Sequence, residues 1–316
     1  MRKAISIFIV LALIFCISAC GGSEEEEAVQ SQKTNYKIGI SISQKTSFFE
    51  EYVRQLNLLA KGNDVEFIVK YADGTTEQQE QDVDQLIADG IGMLVIMPAN
   101  VDSMDNILVK CEETNISIVN LLDPINGSVD VLISLDYSEM GKLAANMADT
   151  YLSKQSSKTV LLVEGPAGSF ISQMIYDGFM SVANEKGFKV NTVHGNASKD
   201  KAEEEVSAEL EKNNYKLIFS FGQYMTEGVL DACSKTDKDP QIITVDADMD
   251  LVKEIYEGNI FGCVYVSPED VANNTLSVYE AIQSGGNLSS YIGVEIKTIT
   301  NDTVADAISN EAKHAN

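Results

Sequence analysis

An α/β architecture of two parallel sheets is what this sequence predicts, on three observations. From Tyr36 onward, short β-branched runs alternate with longer amphipathic segments, the pattern of strand–helix–strand crossovers. Most of the strand runs are continuously apolar rather than alternating, as strands covered on both faces are. Their number exceeds what one open sheet usually holds, so two sheets of five or six strands are expected.

The elements follow in chain order. Arg2 and Lys3 precede the apolar run "AISIFIVLALIF", and small residues stand directly before Cys20. This is a secretory signal over residues 1–19, with an apolar run too short for a permanent span of about 20 residues. Ile17, Ser18, Ala19 and Cys20 resemble the bacterial lipobox, which implies lipidation of Cys20 and loss of Cys16 with the leader. Residues 20–35, "CGGSEEEEAVQSQKTN", hold almost nothing to bury and read as a flexible acidic tether.

The folded part then begins, with candidate strands "KIGISIS", "VEFIVKYA", "GMLVIMP", "ISIVNLL" and "VDVLISLD" in its first half. "TVLLVEG", "FKVNTVHG", "KLIFSFG", "QIITVDA", "FGCVYVS" and "GVEIKTI" follow in the second. Helices fill the intervals. In "TEQQEQDVDQLIADG", Val83, Leu86 and Ile87 recur at helical spacing and Gly90 is a stop. "KDKAEEEVSAELEKN" reads as a helix with a solvated face. The break between halves falls at "LISLDYSEMGKLAANMADTYL", where a strand ends at Asp136 and a long helix starts a second set of units.

Composition excludes several functions. With 48 acidic against 23 basic residues and a formal net charge of −25, the surface repels phosphate backbones, so no nucleic-acid partner is expected. Cys111, Cys233 and Cys263 show neither paired nor metal-like spacing and read as buried free thiols. "GPAGSF" lacks the Lys-Ser or Lys-Thr of a P-loop, "GISISQ" lacks dinucleotide spacing, and no G-x-S-x-G elbow occurs. His194 and His314 are too few and too dispersed for a metal or a triad. Asp123 and Asp246, both expected at strand ends, could mimic a glycosidase pair, but binding is the stronger reading; no catalytic residue, metal or cofactor is assigned.

"KIGISISQKTSFFEEY", "YADGTTEQQEQDVDQLIADGIGMLVIMPAN", "LISLDYSEMGKLAANMA", "EGPAGSFISQMIYDGF", "ITVDAD" and "GNIFGCVYVSPEDVANNT" occur in an order and spacing that resemble one family. The chain is similar to type I periplasmic binding proteins, in the ribose and galactose-binding branch of ABC importer components, over residues 36–300. The resemblance implies two Rossmann-like, doubly wound lobes joined by a three-crossing hinge, with ligand between them. The crossings are expected near Asp136, near Phe261 to Val266 and near Tyr291. The lobes would comprise residues 36–136 with 264–291, and 137–263 with 292–310.

Site residues carry over one by one. Ser43 closes the first strand, and Phe48 and Phe49 stand where the family places an aromatic pair against one face of a sugar. Adjacent residues of a first helical turn point about 100° apart, so one ring is expected in the core and the other at the cleft. Thr46 and Ser47 replace the family's Asn-Pro, leaving a polar contact from Thr46 open. Asp123 keeps the carboxylate of an Asp-Arg pair, but Pro124 replaces the arginine. Gln173 replaces a second arginine, Ser198 an aromatic, and Gly222-Gln223 an Asn-Asp. Asp246 is kept, and Val266 replaces a glutamine with Tyr265 beside it.

Losing two arginine forks removes the donors that ribose-type recognition needs, since a buried unpaired polar group costs about 1–3 kcal/mol. The remaining carboxylates, amides and aromatics suit a sugar or polyol, with a nucleoside or an amine as the alternative. The expected protein is thus an extracytoplasmic lipoprotein anchored to the cell membrane that closes over a small solute by hinge motion. An ABC permease is its expected partner, and a membrane receptor or histidine kinase remains the alternative.

Overall fold

The computed structural model describes residues 36–61 and 63–305. The expected leader, Cys20, the tether and residues 306–310 lie outside the described residues.

The first half runs β1 (Tyr36–Ile42), α1 (Ser47–Ala60), β2 (Val65–Tyr71), α2 (Thr76–Ala88), β3 (Met93–Met97), α3 (Asp105–Thr114), β4 (Ser117–Leu121) and β5 (Val131–Ser134). The second runs α4 (Tyr137–Leu152), β6 (Thr159–Glu164), α5 (Phe170–Lys186), β7 (Lys189–His194), α6 (Lys199–Lys212), β8 (Leu217–Ser220), α7 (Gln223–Ser234), β9 (Gln241–Val245), α8 (Met249–Glu257) and β10 (Gly262–Val266). The chain ends its described part with α9 (Pro268–Ser284), β11 (Tyr291–Gly293) and β12 (Ile296–Thr300).

These strands form two sheets of six, ordered β11-β5-β4-β3-β1-β2 and β12-β10-β9-β8-β6-β7. Every pairing is parallel except β10 with β12. In the first sheet β1 lies between β2 and β3, and in the second β6 lies between β7 and β8. Strand order therefore reverses at β1 and at β6, and ligands of open α/β sheets bind beyond the carboxyl ends at such points.

Covered faces explain the continuous apolar runs. In β3, Met93 and Val95 enter the core shared with Tyr52 and Leu56 of α1, while Leu94 and Ile96 enter the core shared with Val83 and Leu86 of α2. Strands β6, β8 and β9 fill one larger core in the second lobe, with Phe179 and Phe219 stacked at 5.1 Å. Helix α6 buries only Ala202, Val206 and Leu210, one stripe at i, i+4, i+8, and leaves its charges to water. Local chemistry starts the helices. Thr46, Thr75, Asp136, Ser169, Ser198, Asp248 and Ser267 each accept from a backbone N–H in the first turn, an interaction each worth about 1 kcal/mol.

Two glycines set how closely α4 and α5 pack. A Cβ on Gly141 would lie 2.0 Å from the carbonyl oxygen of Ile175, and one on Gly178 would lie 2.0 Å from that of Ser138.

Within the described residues the chain passes between the sheets three times, at 135–136, at 267 and at 294–295. Leu135, on the first passage, and Ile296, the first residue of β12, pack against the cores of both lobes. The expected boundary at residue 264 falls inside β10, which is bonded to β9 and β12 through Val266, so the chain leaves the second sheet at Ser267. The expected boundary at 291 cuts β11, which pairs with β5 through Gly293. Three residues are too few to carry a strand pattern, and β11 is the strand missing from the sequence reading.

Candidate functional site

The carboxyl ends of β4 and β9, one in each lobe, present the two aspartates picked out from sequence. Leu122, just past β4, has φ 59° and Asp246, just past β9, has φ 57°. Left-handed backbone at non-glycine residues is uncommon and collects at ligand-binding edges. Both turns are braced. Asn120 in β4, 1 % exposed, donates to the carbonyl of Asp123 at 3.1 Å and accepts from the N–H of Ile125 at 3.1 Å. Ser134 in β5 donates to the carbonyl of Leu122 at 2.6 Å. In the second lobe the Asp246 N–H donates to Val264 at 3.0 Å, and the hydroxyl of Thr244 lies 2.6 Å from that of Thr226. Neither aspartate caps a helix; Asp136 and Asp248 do that for α4 and α8.

Tyr137, the first residue of α4 and 8 % exposed, connects this arrangement. Its hydroxyl donates to Oδ1 of Asp123 at 3.2 Å. Burial raises the Asp123 pKa above the usual carboxylate value, and this hydrogen bond partly offsets the rise. Burial also raises the Tyr137 phenol, reinforced by the charge of Asp123 and the bond to it, then by Asp246 and Tyr291. Tyr137 therefore feels carboxylates from both lobes. Asp246 itself is pushed up to about 6 by burial alone. It keeps some surface exposed while sitting deep among protein atoms.

The first turn resolves the pair of rings. Phe49 is 7 % exposed and lies in the near-lobe core, edge-on to Tyr52 at 6.4 Å, so it is not a cleft wall. Phe48 is half-buried, edge-on to Phe49 at 5.2 Å, and is the ring left at the carboxyl edge. Thr46 spends its hydroxyl on capping α1, accepting from Phe49 N–H at 3.4 Å. Ser43 is half-buried, and its carbonyl accepts from Gly74 N–H at 2.7 Å, tying the β1 and β2 loops together.

The amides divide. Gln173 is exposed and donates to Asp177 at 2.9 Å one turn on. Gln223 opens α7 at the end of β8 and reaches Asp248 at 3.5 Å. Tyr265 is half-buried, packs against the second-lobe core, and faces Lys297 in the β10–β12 register.

Sequence reasoning passed over three exposed apolar side chains at helix starts. Phe170, Tyr224 and Met249 are 66 %, 50 % and 49 % exposed, and they stand at the first turns of α5, α7 and α8, beyond β6, β8 and β9. The signal was present: each follows a capping position by one or two residues, and a large apolar side chain there has no strand neighbour to cover it. It also missed Tyr137, Asn120 and Gln79. Gln79 is fully buried and donates to Ser41 at 3.1 Å and to Met97 carbonyl at 2.9 Å, while accepting from Ala99 N–H at 2.8 Å, which fixes the β3 loop.

The three cysteines among the described residues are chemically quiet. Cys111, Cys233 and Cys263 are free, and burial raises their thiols to about 11, 12 and 12, so little reactive thiolate forms at neutral pH. Among the described residues no group of three or more His, Cys, Asp or Glu side chains could hold a metal ion, and no helix is long and apolar enough to cross a membrane.

Comparison with known proteins agrees with this architecture. The periplasmic binding protein domain family matches residues 38–287. The ribose import binding protein RbsB of Bacillus subtilis (strain 168) is 24 % identical over 306 residues, covering 95 % of this chain and 99 % of that one. The arabinose ABC transporter binding component of Shewanella sp. ANA-3, solved with α- and β-L-arabinofuranose, superposes with a TM-score of 0.78 at 19 % identity, covering 88 % and 96 % of the two chains. A solute-binding protein of an ABC transporter from Actinobacillus succinogenes 130z, solved with D-allose, gives 0.79 at 16 % identity, covering 86 % and 99 %. The chain belongs to the periplasmic binding protein domain family, a family of solute-binding proteins.

Proposed function

We propose that this family member is the extracytoplasmic receptor of an ABC importer, holding a sugar or sugar-like polyol between its lobes and not acting as an enzyme. The observation that carries the reading is that Asp123 and Asp246 stand at the carboxyl ends of strands of the two sheets, with Tyr137 at the head of α4 bonded to Asp123. Carboxylates accept from ring hydroxyls, and Phe48, Phe170, Tyr224 and Met249 offer apolar faces for the C–H side of a ring. Ribose, L-arabinofuranose and D-allose are named for the relatives, which supports the sugar class.

Closure about the three chain passages would bring the two lobes onto the solute and present a permease with a surface that exists only in the liganded form. ATP hydrolysis would belong to a separate subunit. Within this reading Cys20 carries the lipid that holds the protein at the outer side of the membrane. Cys20→Ser should then move the protein from the detergent phase to the aqueous phase in Triton X-114 partitioning; retention in the detergent phase would remove the anchor from the proposal.

The ligand reading is tested by thermal shift against pentoses, hexoses, amino sugars and polyols, beside nucleosides and amino acids. A ligand that binds only the folded form raises the melting temperature by mass action. A shift from a sugar or polyol is expected. A shift from nucleosides or amino acids alone would overturn the reading.

A further inference from the structure

Asp123 and Asp246 carry charge that no side chain among the described residues balances by an ion pair. The two stand one in each lobe, just past the carboxyl ends of β4 and β9. Asp123 accepts from Tyr137, a neutral donor, at 3.2 Å. Asp246, partly exposed just past the carboxyl end of β9, has no side-chain partner among the described residues. No lysine of the described residues pairs with either aspartate; Lys45 is engaged with Glu50 at 2.8 Å, Lys142 with Glu139 at 3.4 Å, and Lys297 with Asp270 at 2.5 Å. His194 stands beside Glu164 at 3.8 Å. Arg54, the single arginine of the described residues, lies on α1 with Glu51 at 2.6 Å.

Lobe closure strips water from the groups it covers. A hydroxyl can donate one hydrogen bond to a carboxylate but cannot neutralise it, and a buried charge without a counter-charge is strongly unfavourable. An ammonium group supplies both the charge and three donors, enough for the free oxygens of two carboxylates. Resting on the sugar reading above, we propose that the ligand brings the missing positive charge itself: it is an amino sugar or amino polyol whose ammonium is shared by Asp123 and Asp246. The two aspartates act as its counter-charge, and Tyr137 holds Asp123 in place to receive it. The aromatic edge residues take the ring, and the loss of the family's arginines follows, because a guanidinium beside Asp123 would repel such a ligand.

Isothermal titration at about pH 7, just below the ordinary amine range, compares neutral and amino members of matched pairs: D-glucose with D-glucosamine, D-galactose with D-galactosamine, and sorbitol with glucamine. N-acetylglucosamine keeps the nitrogen and removes the charge. The amino member of the binding pair should bind at least about tenfold tighter than its neutral partner, the factor that about 1.4 kcal/mol makes. Asp246→Asn should bring that ratio close to one. Asn tolerates the left-handed backbone that Asp246 adopts, so the variant should fold, and Asp123→Asn reads the same ratio if it does not. A neutral sugar or the N-acetyl form binding as tightly as the amine overturns the proposal and leaves the sugar reading standing. An unchanged ratio in both Asn variants overturns the assignment of the two aspartates. Failure of every pair with folded protein overturns this proposal, while the sugar reading stands or falls on the thermal-shift panel above.

Discussion

Replacing Asp246 with Asn should make the unliganded protein more stable at neutral pH. Asp246 has φ 57°, which Asn adopts as readily as Asp, so the backbone is not strained by the change. Burial, with no compensating donor, pushes its pKa up to about 6, against about 3.9 for aspartate in an unfolded chain. The folded carboxyl therefore holds its proton more tightly than the unfolded one. Stability falls as pH rises from about 4, and the loss is complete above about 6. Roughly two pKa units correspond to about 3 kcal/mol at pH 7. In a chain of this size 1 kcal/mol moves Tm by about 2–4 °C. The Asn variant should melt roughly 5–10 °C above the parent at about pH 7, and the two should converge near pH 4. Circular dichroism melts at the two pH values check this. An Asn variant that melts lower at neutral pH, or whose advantage persists in acid, would show that Asp246 is not held desolvated in the unliganded state.

Tyr137→Phe removes the 3.2 Å bond to Asp123 and should weaken binding of the cleft ligand by about 1–3 kcal/mol, the cost of an unmet buried acceptor; titration with an unchanged Kd would refute the positioning role. Phe49→Ala should cost about 3–5 kcal/mol of stability as a core truncation, whereas Phe48→Ala should leave urea denaturation nearly unchanged and lower ligand affinity; equal losses of stability would contradict the division of the rings. Gly178→Ala places a methyl 2.0 Å from the Ser138 carbonyl oxygen and should destabilise by about 1–3 kcal/mol as overpacking between α4 and α5; an unshifted melt would mean that the helices separate freely.

What the sequence by itself determined is what short-range chemistry controls. Alternating apolar runs and capped amphipathic segments located β1 to β10, β12 and the helices between them, because strand and helix patterns are set by neighbours a few residues apart. The same locality put Asp123 and Asp246 at strand ends. β11 escaped because three residues paired only to β5 carry no pattern of their own. Only the tertiary structure decided what each side chain meets there. Phe48 and Phe49 are equivalent in sequence until α1 is laid on the sheet and one ring enters the core with Tyr52. Gln173 and Gln223 look alike until α5 turns the first to solvent and α7 sets the second beside Asp248. Tyr137 meets Asp123 across 14 positions of chain, and Asp246 is left without a partner because the segments packed around it bring it no donor. Burial and charge balance depend on segments distant in sequence, so the counter-charge missing from the cleft became visible only once the lobes were assembled.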